Sequence, residues 1–128
     1  MEYTWDFWSV WEYREALWVG LINTLRIFLI CLFAGLSLGL AMGLARYSVR
    51  RWLRWPAACF IEFFRNTPVL VQIFWFYFAF PILAPFEISA LMAAALGITL
   101  NSAAFSAEIF RGGIQTIDPG QWEAGRAI

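Results

Sequence analysis

The chain contains no histidine and no lysine, and it has few charged residues of any kind. Charged side chains make up 14% of its 128 residues and hydrophobic ones 62%. An ordinary soluble domain is about 25% charged and about 45–50% apolar, so the composition excludes that class. The absence of histidine also excludes a Ser-His-Asp triad, a histidine-ligated zinc ion and a histidine general base.

Cysteine and net charge exclude further classes of function. Cys31 and Cys59 lie in or beside apolar runs without metal-ligand spacing, so we interpret both as small buried hydrophobic residues. Nine arginines balance nine acidic residues, which leaves no net charge and no basic footprint for nucleic acid. We therefore expect no metal site, no redox chemistry and no nucleic-acid partner.

Three charge-free intervals predict three membrane spans. They lie between Arg26 and Arg46, between Arg65 and Glu87, and between Glu87 and Glu108. Each holds about 20 residues, the length that a helix needs to cross a hydrocarbon core of about 30 Å. The predicted spans are 20–45, 66–86 and 88–111, and the predicted fold is an all-α membrane protein.

The positions of the arginines predict the orientation, because short loops rich in Lys or Arg stay in the cytoplasm. Four arginines crowd the link between the first two spans: Arg46, Arg50, Arg51 and Arg54. The charged residues of the N-terminal segment are four acidic ones, Glu2, Asp6, Glu12 and Glu15, and a single arginine, Arg14. We therefore expect the N-terminus outside, the arginine-rich link and the C-terminal tail inside, and the short turn at Pro85 outside.

Residues 1–19 form a predicted N-terminal arm in the outer membrane interface. One stripe there repeats at steps of three to four residues and is aromatic apart from one glutamate: Trp5, Trp8, Trp11, Glu15 and Trp18. Such an aromatic stripe is typical of a helix that lies at the level of the lipid headgroups.

The first span carries a stripe of glycines, Gly35, Gly39 and Gly43, at steps of four residues. Small residues at this spacing let another helix backbone approach closely. The stripe predicts helix packing, and it leaves open whether the partner helix belongs to this chain or to another.

The second span has a marked predicted start, with Thr67 as a hydroxyl N-cap and Pro68 at the first helical position. Glu62 and Arg65 precede it, and their spacing lets them pair on one helical face. The same face, continued by helical steps, reaches Gln72 within the bilayer. Its amide either makes an interhelical hydrogen bond or lines a solute path.

The third span places Asn101, Phe105 and Glu108 along one seam, with Arg111 at the next turn. A polar amide in mid-span must face a packed or wet interior. We expect Glu108 and Arg111 to form a structural i, i+3 ion pair. Asn101 and Phe105 join Gln72 as candidate residues of a solute path.

A separate helix is predicted from residue 119, after Asp118 as its cap, and Gln121 is placed to complete a capping box. Its composition, with Trp122 among charged residues, suits a helix that lies against another surface. Because the sequence stops within this helix, at Ile128, we expect a fragment of a longer protein.

Three segments together resemble the ABC transporter permeases of the polar amino acid group, the His/Glu/Gln/Arg/opine permeases. Residues 120–128 resemble the opening of the EAA loop, 62–72 the start of the second span, and 101–115 the third span. The three matches follow the order and spacing of that family. Gly125 replaces the commoner alanine of the EAA triplet, and Phe105 stands where relatives often have tyrosine.

The resemblance implies the N-terminal three-span portion of a multi-pass permease subunit in a bacterial inner membrane, with a periplasmic N-terminus. It implies a second permease subunit, identical or different, two cytoplasmic ABC ATPases, a periplasmic solute-binding protein and an amino-acid substrate. ATP and Mg²⁺ would bind to the ATPases, so this chain is expected to be neither an enzyme nor a cofactor-binding subunit. In the family the EAA loop couples the permease to the ATPase, which assigns that role to Gly120, Gln121, Trp122, Glu123, Ala124, Gly125 and Arg126.

Two alternatives stay open at the level of sequence. The chain could anchor or assemble partners without lining a path, or it could belong to an importer of another small solute. The few neutral polar residues within the spans do not distinguish acidic, basic and amide amino acids.

Overall fold

The computed structural model describes residues 7–84 and 86–127, which form helices joined by short links, with no strand among them. The helices are α1 (Trp8–Glu12), α2 (Arg14–Tyr47), α3 (Arg51–Asn66), α4 (Val69–Phe74), α5 (Phe80–Leu83), α6 (Ala90–Gln115) and α7 (Pro119–Ala127). A π-helical segment, Trp75–Ala79, joins α4 to α5. Predictions that involve Trp5, Pro85 or Ile128 fall outside the described residues.

Two helices, α2 and α6, are each long and apolar enough to cross a membrane. Helix α3 and the segment Val69–Leu83 pass the same test only as a pair, and a bend of 104° separates them. The all-α membrane class is therefore confirmed, with two straight spans and one bent pair.

The first span extends beyond its predicted bounds in both directions. Helix α2 begins at Arg14, so Trp18 of the predicted arm belongs to the span helix itself. The Thr24 hydroxyl donates to the carbonyl oxygen of Gly20 at 2.9 Å, so α2 is continuous across the predicted start of the span at residue 20. With 34 residues at a rise of about 1.5 Å, α2 is about 50 Å long and projects beyond a hydrocarbon core of about 30 Å.

The prediction of a single helix over 66–86 is wrong at its start. Helix α3 ends at Asn66, and Thr67 has the extended conformation that a following proline favours. The Thr67 hydroxyl donates backwards to the carbonyl oxygen of Phe63 at 2.8 Å and caps nothing ahead of it. Pro68 is itself the N-cap residue of α4. The Thr-Pro pair thus marks a corner between two helices, which we call the bend.

The π-helical segment has a local cause in Pro81, near the start of α5. Proline has no N–H to donate, and its ring crowds the carbonyl four residues earlier. That carbonyl belongs to Tyr77, inside the π-helical segment, where the wider turn leaves room. The helix therefore continues through the proline and ends at Leu83.

The glycine stripe of α2 packs against α6, so its partner lies within this chain. A Cβ atom built on Gly39 would lie 2.7 Å from the Cβ of Ser106 and 2.9 Å from the carbonyl oxygen of Ala103. A Cβ on Gly43 would lie 2.8 Å from the carbonyl oxygen of Ala107. Only glycine allows this approach, because any side chain would meet α6 backbone.

Successive contacts advance together along both helices, so α2 and α6 run parallel. Gly35 faces Ser102, and Gly39 faces Ser106 one turn further on. The arginine-rich link after α2 and the tail after α6 consequently leave the bundle at the same end, which we call the link end. Cys31 is buried in this seam as expected, whereas the prediction of a buried Cys59 is wrong, since that residue is exposed.

Candidate functional site

Three arginines and two glutamates from α2, α3 and α6 meet near the link end. This ionic cluster consists of Arg46, Glu62, Arg65, Glu108 and Arg111. The fold brings them together because α3 doubles back across α2 and α6 after the short link at Ser48–Arg50.

Glu108 is the centre of the ionic cluster. Its carboxylate lies 2.7 Å from Nη2 of Arg111, 3.2 Å from Nε of Arg46 and 3.9 Å from Nη1 of Arg65. The Arg111 guanidinium also donates through Nε at 3.1 Å, which gives the forked geometry of a strong ion pair. The predicted pair of Glu108 and Arg111 is therefore present, but it is one part of a larger network.

The predicted pair of Glu62 and Arg65 is wrong. Glu62 pairs with Arg46 of α2 at 3.0 Å, and Arg65 approaches Glu108 of α6 instead. Helical spacing identifies partners within one helix only, whereas packing supplies partners from two neighbouring helices. Sequence reasoning used Arg46 as an orientation marker and missed its contact with both glutamates.

A second cluster of polar groups holds the bend. The carbonyl oxygen of Phe64 accepts from Nε2 of Gln72 at 2.9 Å and from Nδ2 of Asn101 at 3.0 Å. Nε2 of Gln72 also donates to the carbonyl oxygen of Thr67 at 2.8 Å. Phe64 precedes Pro68 by four residues, so its carbonyl has no helical N–H partner. We call Gln72 and Asn101 the amide cluster.

Gln72 is almost fully enclosed, with 4% of its surface exposed. Its Oε1 atom is buried and has no hydrogen-bond partner among the described residues. The expectation that Gln72 shares a helical face with Glu62 and Arg65 is wrong, because the bend separates α3 from α4. Gln72 instead lines a cavity of about 300 Å³ with aromatic neighbours that include Phe64 and Trp75.

Phe105, the third candidate path residue, lies apart from the amide cluster. Its side chain is 48% exposed, and the guanidinium carbon of Arg65 lies 5.5 Å from the centre of its ring. That distance is typical of a cation–π contact. The structure thus brings Gln72 and Asn101 together on Phe64 and leaves Phe105 on the surface beside the ionic cluster.

Gly97, which lies four residues before Asn101 on the predicted seam of the third span, is a packing residue. A Cβ atom at this position would lie 2.8 Å from Cγ1 of Ile73 and 3.3 Å from its backbone nitrogen. The missing side chain lets α4 lie directly on α6, which sets Gln72 within reach of the bend.

Helix α7 carries the residues predicted to couple with an ATPase. Asp118 caps it through Oδ1, which accepts the Gly120 N–H at 2.7 Å. The side chain of Gln121 makes no hydrogen bond with a described residue, so the second half of the predicted capping box is not formed. Every residue of Pro119–Ala127 is exposed, including Trp122 at 48%. An apolar ring on a capped helix is therefore available for contact with another molecule.

Comparison with known proteins identifies relatives along most of this chain. Residues 35–128 match the family described as "Binding-protein-dependent transport system inner membrane component". The probable amino-acid ABC transporter permease YckA of Bacillus subtilis (strain 168) is 46% identical over 109 residues, which are 85% of this chain and 48% of the relative. The arginine transport system permease ArtQ of the same organism is 40% identical over 109 residues, or 85% of this chain and 50% of the relative.

A further relative and a solved structure extend the likeness towards the N-terminus. The octopine transport system permease OccM of Rhizobium meliloti is 40% identical over 126 residues, covering 92% of this chain and 51% of the relative. A solved chain described as "Crystal structure of an amino acid ABC transporter with histidines" is 36% identical, with a TM-score of 0.86 over 98% of this chain and 58% of that one. The chain spans about half the length of the curated relatives it matches.

Proposed function

We propose that this chain, which belongs to the family of binding-protein-dependent transport system inner membrane components, forms the first membrane segments of a permease subunit that imports polar amino acids. The observation that carries the proposal is the set of relatives named as amino-acid, arginine and octopine permeases, which match along most of the chain. The capped and exposed helix α7 supports it independently, since it offers a surface for a coupling partner.

In this proposal the subunit lies in a bacterial inner membrane with its N-terminus in the periplasm. The four arginines after α2 favour a cytoplasmic link end, because short arginine-rich loops stay inside. Because α2 and α6 run parallel, α7 would then lie on the same side of the membrane, in the cytoplasm. The subunit works with a second permease, identical or different, two ABC ATPases and a periplasmic solute-binding protein. ATP and Mg²⁺ bind to the ATPases, and this chain carries neither.

We infer that α7 transmits the movement of the ATPase to the spans. Only Thr116–Asp118 separates α7 from α6, so a displacement of α7 acts on the last turns of α6. Those turns carry Glu108 and Arg111, which the ionic cluster connects to α2 and α3. A rigid-body shift of α7 would then move three helices together and bias the bundle between inward-open and outward-open states.

Gln72, Asn101 and Phe105 stay our candidates for the solute path. Gln72 supports this role through its unpaired Oε1 acceptor and the cavity that it lines. Cysteine substitutions at the three positions test it, because residues on the path should change their labelling rate when nucleotide or solute is added. A labelling rate that changes with neither nucleotide nor solute would favour a subunit that anchors partners without lining a path.

Transport itself is tested by reconstituting the full-length subunit with its ATPase, second permease and binding protein in vesicles. We expect ATP-dependent uptake of polar amino acids. Uptake of sugars or metal ions without amino acids would overturn the substrate class. An assembled complex that transports nothing, although its ATPase is active, would favour the anchoring role.

A further inference from the structure

An arginine-lined pocket opens at the link end, between the last turns of α2 and α6 and the first turns of α3. Its volume is about 560 Å³. Three guanidinium groups, two aromatic rings and an amide border it: Arg46, Arg54, Arg111, Tyr47, Trp55 and Gln115. We call it the arginine pocket; it shares Arg46 and Arg111 with the ionic cluster and adds Arg54, which is outside that cluster.

Positive charge exceeds negative charge around the arginine pocket. Arg46 and Arg111 contact the glutamates of the ionic cluster, but Arg54 forms no ion pair with a described residue. Nη1 of Arg46 is buried and has no hydrogen-bond partner among the described residues. The pocket thus combines a free guanidinium with an unused donor on a second one. An exposed guanidinium without an acidic partner, beside two further arginines, favours an anionic ligand here.

Phosphate is the anion that these donors fit best. The planar guanidinium presents parallel N–H groups that match two oxygens of a phosphate group. The surroundings favour a phosphate at a membrane surface, because exposed aromatic residues at the link end, Tyr47, Trp52 and Trp55, are typical of the headgroup level. Basic pockets between membrane helices are known binding sites for anionic lipid headgroups.

We propose that the arginine pocket binds the phosphate group of an anionic phospholipid. Arg54 would donate to the phosphate oxygens, the charges of Arg46 and Arg111 would attract them, and Trp55 would lie beside the glycerol region. Because Arg46 also contacts Glu62 and Glu108, the bound lipid would stabilise the contact of α3 with α2 and α6. The proposal rests on the membrane-embedded fold and is independent of which solute the permease carries.

The full-length subunit, reconstituted in phosphatidylcholine vesicles, tests the proposal with spin-labelled lipids. Electron paramagnetic resonance gives the association constant of labelled phosphatidylglycerol relative to labelled phosphatidylcholine. We expect a preference for phosphatidylglycerol in the wild-type protein. Arg54→Gln should lower that preference by about fivefold, the effect of losing one direct hydrogen bond to the phosphate group. Arg54→Lys keeps the positive charge but loses the two parallel N–H donors of the guanidinium, so it should retain part of the preference for phosphatidylglycerol.

Arg51→Gln is the matched control, because Arg51 is exposed in the same turn of α3 and does not line the pocket. It removes the same charge and should leave most of the preference intact. An equal loss in Arg51→Gln and Arg54→Gln would show a diffuse surface potential and overturn the proposal. Circular dichroism and gel filtration test whether each variant is folded. If Arg54→Gln does not fold, the comparison of Arg54→Lys with the wild-type protein decides the case.

Soluble phosphate provides the last arm of the test. Inorganic phosphate or glycerol phosphate is added to the same vesicles at constant ionic strength. We expect neither to displace labelled phosphatidylglycerol. Displacement by soluble phosphate, with loss of competition in Arg54→Gln, would identify a site for a free phosphate compound and overturn the lipid assignment. A wild-type protein without any preference for phosphatidylglycerol would overturn the proposal altogether.

Discussion

The carbonyl oxygen of Phe64 accepts two side-chain amides because the backbone offers it no donor. Pro68 removes the N–H that would bond to it in a continuous helix. Gln72 and Asn101 replace that donor from two different helices. In this structure Gln72 and Asn101 hold the bend, and this structural role does not depend on contact with a solute.

Replacing the amides should therefore destabilise the protein unequally. Gln72→Leu removes two part-buried hydrogen bonds and leaves the Thr67 carbonyl without its side-chain donor, while Phe64 keeps the bond from Asn101, so we expect a loss of about 2 kcal/mol in the free energy of unfolding. Asn101→Ala removes one bond and should cost about 1 kcal/mol. Gln121→Leu, in the exposed helix α7, is the control and should change little. Thermal and denaturant unfolding of the full-length subunit measure the differences, and equal effects at Gln72 and Gln121 would contradict this role.

The two glutamates of the ionic cluster should also differ. Glu108 contacts three arginines with 17% of its side chain exposed, whereas Glu62 contacts Arg46 with 54% exposed. We expect Glu108→Gln to destabilise by about 2 kcal/mol, because it removes charged hydrogen bonds and leaves arginines uncompensated. Glu62→Gln should cost less than about 1 kcal/mol, as exposed pairs usually do. The same unfolding measurement tests both, and a larger effect at Glu62 would show that Glu108 is not the centre of the cluster.

At the scale of helices, the parallel contact of α2 with α6 depends on glycines at the points of closest approach. Gly39→Ala places a Cβ against Ser106 and the backbone of Ala103, so we expect a loss of about 1–3 kcal/mol despite the better helix propensity of alanine. Gly20→Ala in the same helix meets nothing within 4 Å and should stabilise by up to about 1 kcal/mol. Unfolding of the two variants in parallel measures the contrast. A neutral Gly39→Ala would mean that the helices do not pack through this stripe.

Helix α7 should be important for coupling and unimportant for folding. Trp122 is exposed and α7 has no buried residue, so Trp122→Ala should leave the free energy of unfolding nearly unchanged. If the ring docks on an ATPase, the variant should lose most ATP-driven uptake, because truncating a buried interface aromatic costs about 2 kcal/mol or more of binding energy. Trp18→Ala, near the other end of the bundle, is the control. Uptake by Trp122→Ala at the wild-type rate would place the coupling contact elsewhere.

The sequence predicted the elements better than their connections. Charge-free intervals located α2, α6 and the second span, and the glycine spacing identified the packed face of α2. The Thr-Pro pair is ambiguous, since the same residues begin one helix or end another. The partners of Glu62 and Arg65 were missed because helical periodicity describes one helix at a time, and the ionic cluster depends on how three helices pack.

For the whole molecule, the described surface suits a position within membrane and partner subunits. Large apolar side chains such as Phe28, Phe33 and Leu36 are exposed along α2, as lipid contact or subunit contact requires. The three segments that resemble the permease family include the amide cluster, the residues of the ionic cluster other than Arg46, and α7 from Gly120 onward. The family was therefore predictable from local motifs, whereas the contacts of the ionic cluster and the amide cluster needed the fold.

Amino-acid import is tested most directly by the initial rate of uptake into vesicles that contain the full-length subunit, its partners and a defined internal ATP supply. Radiolabelled arginine, glutamine and histidine are compared with a sugar and a divalent metal ion under the same conditions. The proposed function predicts that at least one of these amino acids accumulates only when ATP is hydrolysed. Accumulation of the sugar or the metal ion, with no ATP-dependent uptake of any amino acid, would contradict it.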